Sequence, residues 1–101
     1  YNQCHPAIWR VLKQIVDAAK EKEIPVNLCG ELASNPLAAC GLIGLGIKEL
    51  SMAPTILPMV KKELRSHTLK EMQNLSEQLL ESSTVEEVNA VFRNWKSSKS
   101  N

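Results

Sequence analysis

The sequence predicts an α/β fold, mostly helical, with two short parallel strands followed by two closing helices. Three observations predict it. Helical and strand-like segments alternate from Pro6 to Arg65 in the order helix, strand, helix, strand, helix. The two strand-like runs are separated by a helical crossover, which makes them parallel. Two Thr-x-x-Glu boxes then open two further helices in succession.

Each element has its own local reason. Pro6 opens the first helix, and Ile8, Val11, Leu12, Ile15, Val16 and Ala19 recur at helical spacing to form one apolar face. Arg10, Lys13, Gln14 and Asp17 take the other face, and the pattern fades into Lys20-Glu21-Lys22-Glu23. Pro25 to Leu28 then reads as a short, buried strand. Asn35-Pro36 carries a helix-start signature, with Asn35 as N-cap and Pro36 at the first helical position. That second helix runs to Leu45, Gly41 and Gly44 allow it a close neighbour, and Gly46 supplies the stop. Leu50-Ser51-Met52 reads as the second strand. A third helix covers Ile56 to Arg65, with Pro58 tolerated in its first turn and Leu57, Val60 and Leu64 as its stripe. Thr68 and Glu71 form a capping box ahead of Leu69, Met72, Leu75, Leu79 and Leu80. Thr84 and Glu87 form another ahead of Val88, Val91, Phe92 and Trp95. The Ser/Lys/Asn end, 97–101, is expected to be a flexible tail.

The 101 residues amount to one domain at most. Two short parallel strands do not make a stable sheet alone, because parallel strands are normally covered on both faces inside a larger sheet. Tyr1 in place of methionine adds to the expectation that the chain begins inside a longer protein. Net charge is +1 with acids and bases interleaved, which argues against a nucleic-acid surface. The longest apolar stretch, Leu37 to Ile47, holds three glycines and is too short to cross a bilayer. Three irregularly spaced cysteines give neither a disulfide framework nor a metal motif, and free thiols suit a reducing cytoplasm.

The residues with the most chemical potential are Leu28-Cys29-Gly30-Glu31-Leu32-Ala33. Cys29 falls at the carboxyl end of the first strand, just before a βα loop, which is where α/β proteins bind ligands. Gly30 lets backbone approach a ligand, although backbone geometry is its first use. From the residues alone, a catalytic thiol and a small buried apolar group are equally good readings of Cys29. Glu31 reads as a capping or solvent-facing group, and Ser51 and Met52 are left open as pocket-lining residues. Cys40 lies in an apolar helix and reads as core. Cys4-His5 lacks the second spaced pair that a metal site needs, His5 reads as a helix-entry residue, and His67 as a surface group at a helix junction.

With these residues laid out, the chain resembles the carboxyl-terminal end of enzyme I of the phosphoenolpyruvate-dependent phosphotransferase system. The resemblance runs from His5-Pro6-Ala7 through the Cys29 box, Gly44-Leu45-Gly46 and Leu50-Ser51-Met52 to Leu57-Pro58-Met59-Val60-Lys61-Lys62 and the last two helices. It implies the last part of a phosphoenolpyruvate-binding (β/α)8 TIM barrel, with the two strands as the seventh and eighth, barrel βα units over 1–65 and terminal helices over 66–96. It implies that Cys29 is the acid/base at carbon 3 of the substrate, with Gly30 in the substrate loop. Phosphoenolpyruvate gives its phosphoryl group to a histidine, and the enolate left behind needs a proton at its terminal carbon. A thiol, which ionises near pH 8.5 in water, can give that proton and take it back.

The resemblance further implies Mg2+ in the parent protein, a homodimer formed through the barrel, and a histidine-containing phosphocarrier protein docked on an amino-terminal domain. No residue of this chain matches the family's metal-binding carboxylates, its arginines or its phosphorylated histidine. The chain alone is therefore expected to be inactive, and, lacking the first six strands, to expose a parallel edge and apolar helix faces and so to self-associate. Neither nucleic acid nor membrane is expected as a partner. Two rival readings remain: a piece of pyruvate phosphate dikinase or phosphoenolpyruvate synthase, which share the barrel, and a non-enzymatic helical module binding through Leu79, Val91, Phe92 and Trp95.

Overall fold

The computed structural model describes residues 5–99. Six helices and two strands follow one another as α1 (Pro6–Glu21), β1 (Asn27–Cys29), α2 (Glu31–Ser34), α3 (Pro36–Leu45), β2 (Glu49–Ser51), α4 (Leu57–Arg65), α5 (Leu69–Glu81) and α6 (Val85–Lys99). The expected order holds, with one addition: the stretch read as a βα loop after Cys29 contains the single helical turn α2.

Helix α1 starts as its sequence demands. His5 is the N-cap, its ring Nδ1 accepting from the Ala7 N–H at 3.2 Å, and Pro6 follows at the first helical position. The buried stripe differs from the one expected. Trp9 is 0% exposed, whereas Val11 and Ile15 remain 52% and 48% exposed. Trp9 wins because the ring has somewhere to go: a Cβ added to Gly41 of α3 would lie 3.0 Å from its Cζ3 and Cη2 atoms.

Helix α3 is capped at both ends. The Asn35 Oδ1 accepts from the Ala38 N–H at 3.0 Å, and Gly46 closes the helix at φ 112°, a left-handed conformation costly for any residue with a Cβ. Its inner positions Ala38 to Leu42 and Leu45 are buried. The helix crosses α5 so closely at Gly44 that a Cβ there would overlap the Met72 carbonyl.

The two strands pair in parallel with Asn27 opposite Glu49, Leu28 opposite Leu50 and Cys29 opposite Ser51. The first begins two residues later and ends one later than expected, the second lies one residue earlier, and neither is buried throughout. Only the central residue of each, Leu28 and Leu50, is partly buried and packs against the core. The expectation of a buried first strand fails because, among the described residues, packing covers one face of the sheet and leaves the other open.

The later helices follow their boxes. The Glu71 N–H donates to Thr68 Oγ1 at 3.1 Å while the Thr68 N–H donates to Glu71 Oε1 at 2.7 Å, so α5 has a complete capping box. At α6 the Glu87 N–H donates to Thr84 Oγ1 at 3.1 Å, but the return bond to Glu87 Oε2 comes from the Ser83 N–H at 3.0 Å. Helix α6 continues to Lys99, into the segment read as a tail; Ser100 and Asn101 lie outside the described residues. Trp9, Leu42, Leu75, Leu79 and Val88 form the shared centre, with Phe92 tilted against Trp9 at a centroid distance of 6.0 Å. The Arg10 guanidinium reaches the Ser82 carbonyl, tying α1 to the α5–α6 corner.

Candidate functional site

The open face of the sheet is set by strand alternation. Successive side chains point to opposite faces, so Asn27 and Cys29 share a face with their partners Glu49 and Ser51, opposite Leu28 and Leu50. The four are polar or reactive, and all are exposed. Two are locked together: Ser51 Oγ donates to Asn27 Oδ1 at 3.1 Å. Asn27 Nδ2 in turn donates to Glu49 Oε2 at 3.4 Å. Cys29, the last residue of β1, is exposed at the carboxyl end of this strip.

Gly30 makes the sharp turn from strand to helix. Its φ of 106° and ψ of −161° are nearly restricted to glycine, and it serves as N-cap of α2. A Cβ at Gly30 would meet nothing within 4 Å, so the requirement is one of backbone conformation and not of space. Ser34 Oγ closes the turn by donating to the Gly30 carbonyl at 3.0 Å. Glu31 is exposed in the first turn of α2. Met52 is half-buried just beyond Ser51.

Cys40 contrasts with Cys29. It is fully buried on α3, and burial, assisted by the negative charge of Glu63, pushes its thiol up to about 12. It stays a neutral thiol at neutral pH, as its reading as core expects.

A second polar group lies around Cys40, and here a sequence expectation is overturned. His67 is not a surface residue: its side chain is 1% exposed. Its Nε2 is hydrogen-bonded to Glu63 Oε2 at 2.7 Å, and its ring lies on that of Trp95 with centroids 4.0 Å apart. Nδ1 has no hydrogen-bond partner, a cost of about 1–3 kcal/mol for a buried polar atom. Only the Glu63–His67 spacing of one helical turn was visible in the sequence; Cys40 and Trp95 are brought there by the fold.

Of two cavities near the sheet, one lies away from Cys29 and the other borders it. A cleft of about 490 Å³ is lined by Lys13, Asp17, Lys20, Glu23, Lys48 and Glu49 among others, near the amino ends of the strands and away from Cys29. An apolar groove of about 360 Å³ runs between α1 and β1, with Val11, Leu12, Leu28, Cys29 and Leu32 on its walls. No helix among the described residues is long and apolar enough to cross a membrane.

The sequence comparisons now define the class. Residues 1–69 match the family described as PEP-utilising enzyme, PEP-binding domain (PEP, phosphoenolpyruvate), and the chain belongs to that family. It is 42% identical over 90 residues to the multiphosphoryl transfer protein of Xanthomonas campestris pv. campestris, covering 89% of this chain and 11% of that protein. It is 38% identical over 88 residues to the phosphoenolpyruvate-protein phosphotransferase of Chlamydia trachomatis, covering 87% of this chain and 15% of that protein. A Staphylococcus carnosus protein of the same name is 36% identical over 88 residues, with 87% and 15% covered. The chain thus spans about a sixth or less of the length of these relatives.

Proposed function

We propose that this chain is the carboxyl-terminal part of the PEP-binding barrel of a phosphoenolpyruvate-protein phosphotransferase, and that Cys29 moves the proton at carbon 3 of the substrate. The observation that carries this reading is the placement of Cys29. It is an exposed thiol at the carboxyl end of a parallel strand, followed by a glycine turn and flanked by Ser51 of the neighbouring strand. Family membership and the names of the relatives support it.

In this mechanism PEP first transfers its phosphoryl group to a histidine outside this chain, leaving the enolate of pyruvate. The Cys29 S–H then donates its proton to carbon 3. The enolate electron pair forms the new C–H bond, and the sulfur keeps the electrons of the broken S–H bond. Pyruvate and a thiolate result, and the reverse step regenerates the enolate. Gly30 holds the turn that presents the thiol and keeps the loop free of a side chain beside it.

The strands would be the seventh and eighth of a (β/α)8 barrel. The alternation supports this: Leu28 and Leu50 pack on the helices, while Asn27, Cys29, Glu49 and Ser51 share the open face, which would be the barrel interior. Mg2+ belongs to the parent reaction, where it would stabilise enolate charge. The open strip offers one carboxylate, Glu49, already bonded by Asn27, whereas such an ion is held by one or two carboxylates with waters and substrate phosphate. The family resemblance puts the magnesium ligands upstream of this chain, and none of the steps above is routed through the ion.

The remaining parts of the reading are a cytoplasmic homodimeric parent, phosphoryl transfer to a histidine-containing carrier docked on another domain, and no activity in the isolated chain. The helical-module alternative is weakened, since Leu79 is fully buried, Phe92 is tilted against Trp9 and the Trp95 ring lies near that of His67. Thiol labelling in the intact parent tests the reading. PEP should protect Cys29 from alkylation, and labelling at an unchanged rate with PEP bound contradicts it.

A further inference from the structure

We propose that Cys40, Glu63 and His67 form a binding site for a single Zn2+ ion that ties α3 to the end of α4. A sulfur, a carboxylate oxygen and a ring nitrogen from these residues all lie within 4.8 Å of one another. Cys40 comes from the middle of α3, Glu63 from the last turns of α4, and His67 from the junction just beyond it. Glu63 and His67 stand one turn apart and so face the same way.

The donor set selects the metal. Thiolate, imidazole and carboxylate together are the ligands of Zn2+, whereas Mg2+ and Ca2+ take oxygen alone. Charge agrees as well: one thiolate and one carboxylate neutralise a divalent ion, so no net charge is left in the interior. Tetrahedral Zn2+, with bonds of about 2.0–2.3 Å, spaces its donors by about 3.3–3.7 Å. The nitrogen and carboxylate oxygen of His67 and Glu63 are now 2.7 Å apart, and the sulfur lies within 4.8 Å, so side-chain adjustments of about 1 Å bring all three to coordination distance.

The His67 ring is positioned for the ion. Its side chain is 1% exposed and its Nε2 already faces the Glu63 carboxylate at 2.7 Å, so the ring is held in place at the site before an ion binds. Metal binding at Nε2 leaves the ring proton on Nδ1, and Trp95 against the ring face fixes its plane. The Glu63 side chain, 30% exposed, gives the ion an entry path and leaves a fourth position for water. On binding, the Cys40 S–H proton leaves to solvent and the sulfur bonds the metal as thiolate; no electron is transferred. This site is separate from the Cys29 strip and does not depend on the reading of that strip.

The test is a Co2+ and Zn2+ titration of the intact protein that carries this chain, freed of metal by chelation. Co2+ should give a thiolate-to-cobalt charge-transfer absorption at one equivalent, displaced by Zn2+. The band should vanish in Cys40→Ser and survive in Cys29→Ser. The Glu63→Gln variant, changed at a partly exposed side chain, should bind Zn2+ at least tenfold more weakly with its helical circular dichroism unchanged. A protein without the cobalt band, a band that survives Cys40→Ser, or a Glu63→Gln variant with undiminished Zn2+ affinity overturns the proposal. Should Cys40→Ser lose its fold, Glu63→Gln decides the matter alone.

Discussion

Cys29 stands directly opposite Ser51 in the parallel ladder, so the final side chains of the two strands share the open face of the sheet. Ser51 is in turn held by its bond to Asn27, which fixes the floor beside the thiol. An exposed thiol on a rigid strand end, next to a glycine turn, can meet a ligand without any movement of the core.

That contrast between two thiols gives the first prediction. Iodoacetamide near neutral pH should label Cys29 within minutes and Cys40 far more slowly, because Cys40 is buried and its thiol is pushed up to about 12. Peptide mass spectrometry over time reads the two rates. Equal labelling would show that α3 does not shield Cys40.

Stability should fall at high pH through Cys40. Its folded-state ionisation lies above that of the unfolded chain, so between about pH 9 and about 12 the unfolded state loses a proton that the folded state keeps. The neutral-thiol advantage is complete below pH 9 and is lost as pH rises, by at most about 1.4 kcal/mol per pH unit. Urea unfolding at several pH values in chelator should therefore show a shallower decline for Cys40→Ser than for the native sequence. Identical slopes would exclude the thiol as the cause.

The crossing of α3 and α5 makes Gly44 intolerant of substitution. A methyl group there meets the Met72 backbone carbonyl, which cannot rotate away, so Gly44→Ala should cost roughly 3 kcal/mol or more. Thr68→Ala, which removes half of a capping box, should cost only about 1 kcal/mol. Denaturant midpoints rank the two, and a reversed order would contradict the packing described.

The isolated chain should self-associate. Val11, Ile15, Ile24 and Met59 are exposed, and each strand has one hydrogen-bonded neighbour among the described residues. Light scattering should show a mean mass that rises with concentration. A constant monomer mass would argue that these surfaces are tolerated by water.

The parts of the fold legible in the sequence were those written in local chemistry. Asn35-Pro36, Gly46 and Thr68 with Glu71 each mark a helix end through bonds spanning a few residues, and each stands where expected. The buried stripe of α1 was not legible in the same way. Apolar residues cover a wide arc of that helix, and the choice of Trp9 over Val11 and Ile15 depends on the opening at Gly41. His67 was misread for a related reason: the residues that bury it, Trp95 and Cys40, are 28 and 27 positions away. Cys29 was located by its position before a glycine and a helix start, although the one-turn α2 was missed because its Gly30 cap has no side chain to reveal it.

The most direct measurement is the rate of pyruvate formation from PEP by the intact parent protein carrying Cys29→Ala. Loss of the proton donor should slow that reaction by about 10²–10⁴-fold while PEP binding persists. Pyruvate formed at the unaltered rate would contradict the central claim that this thiol protonates the enolate.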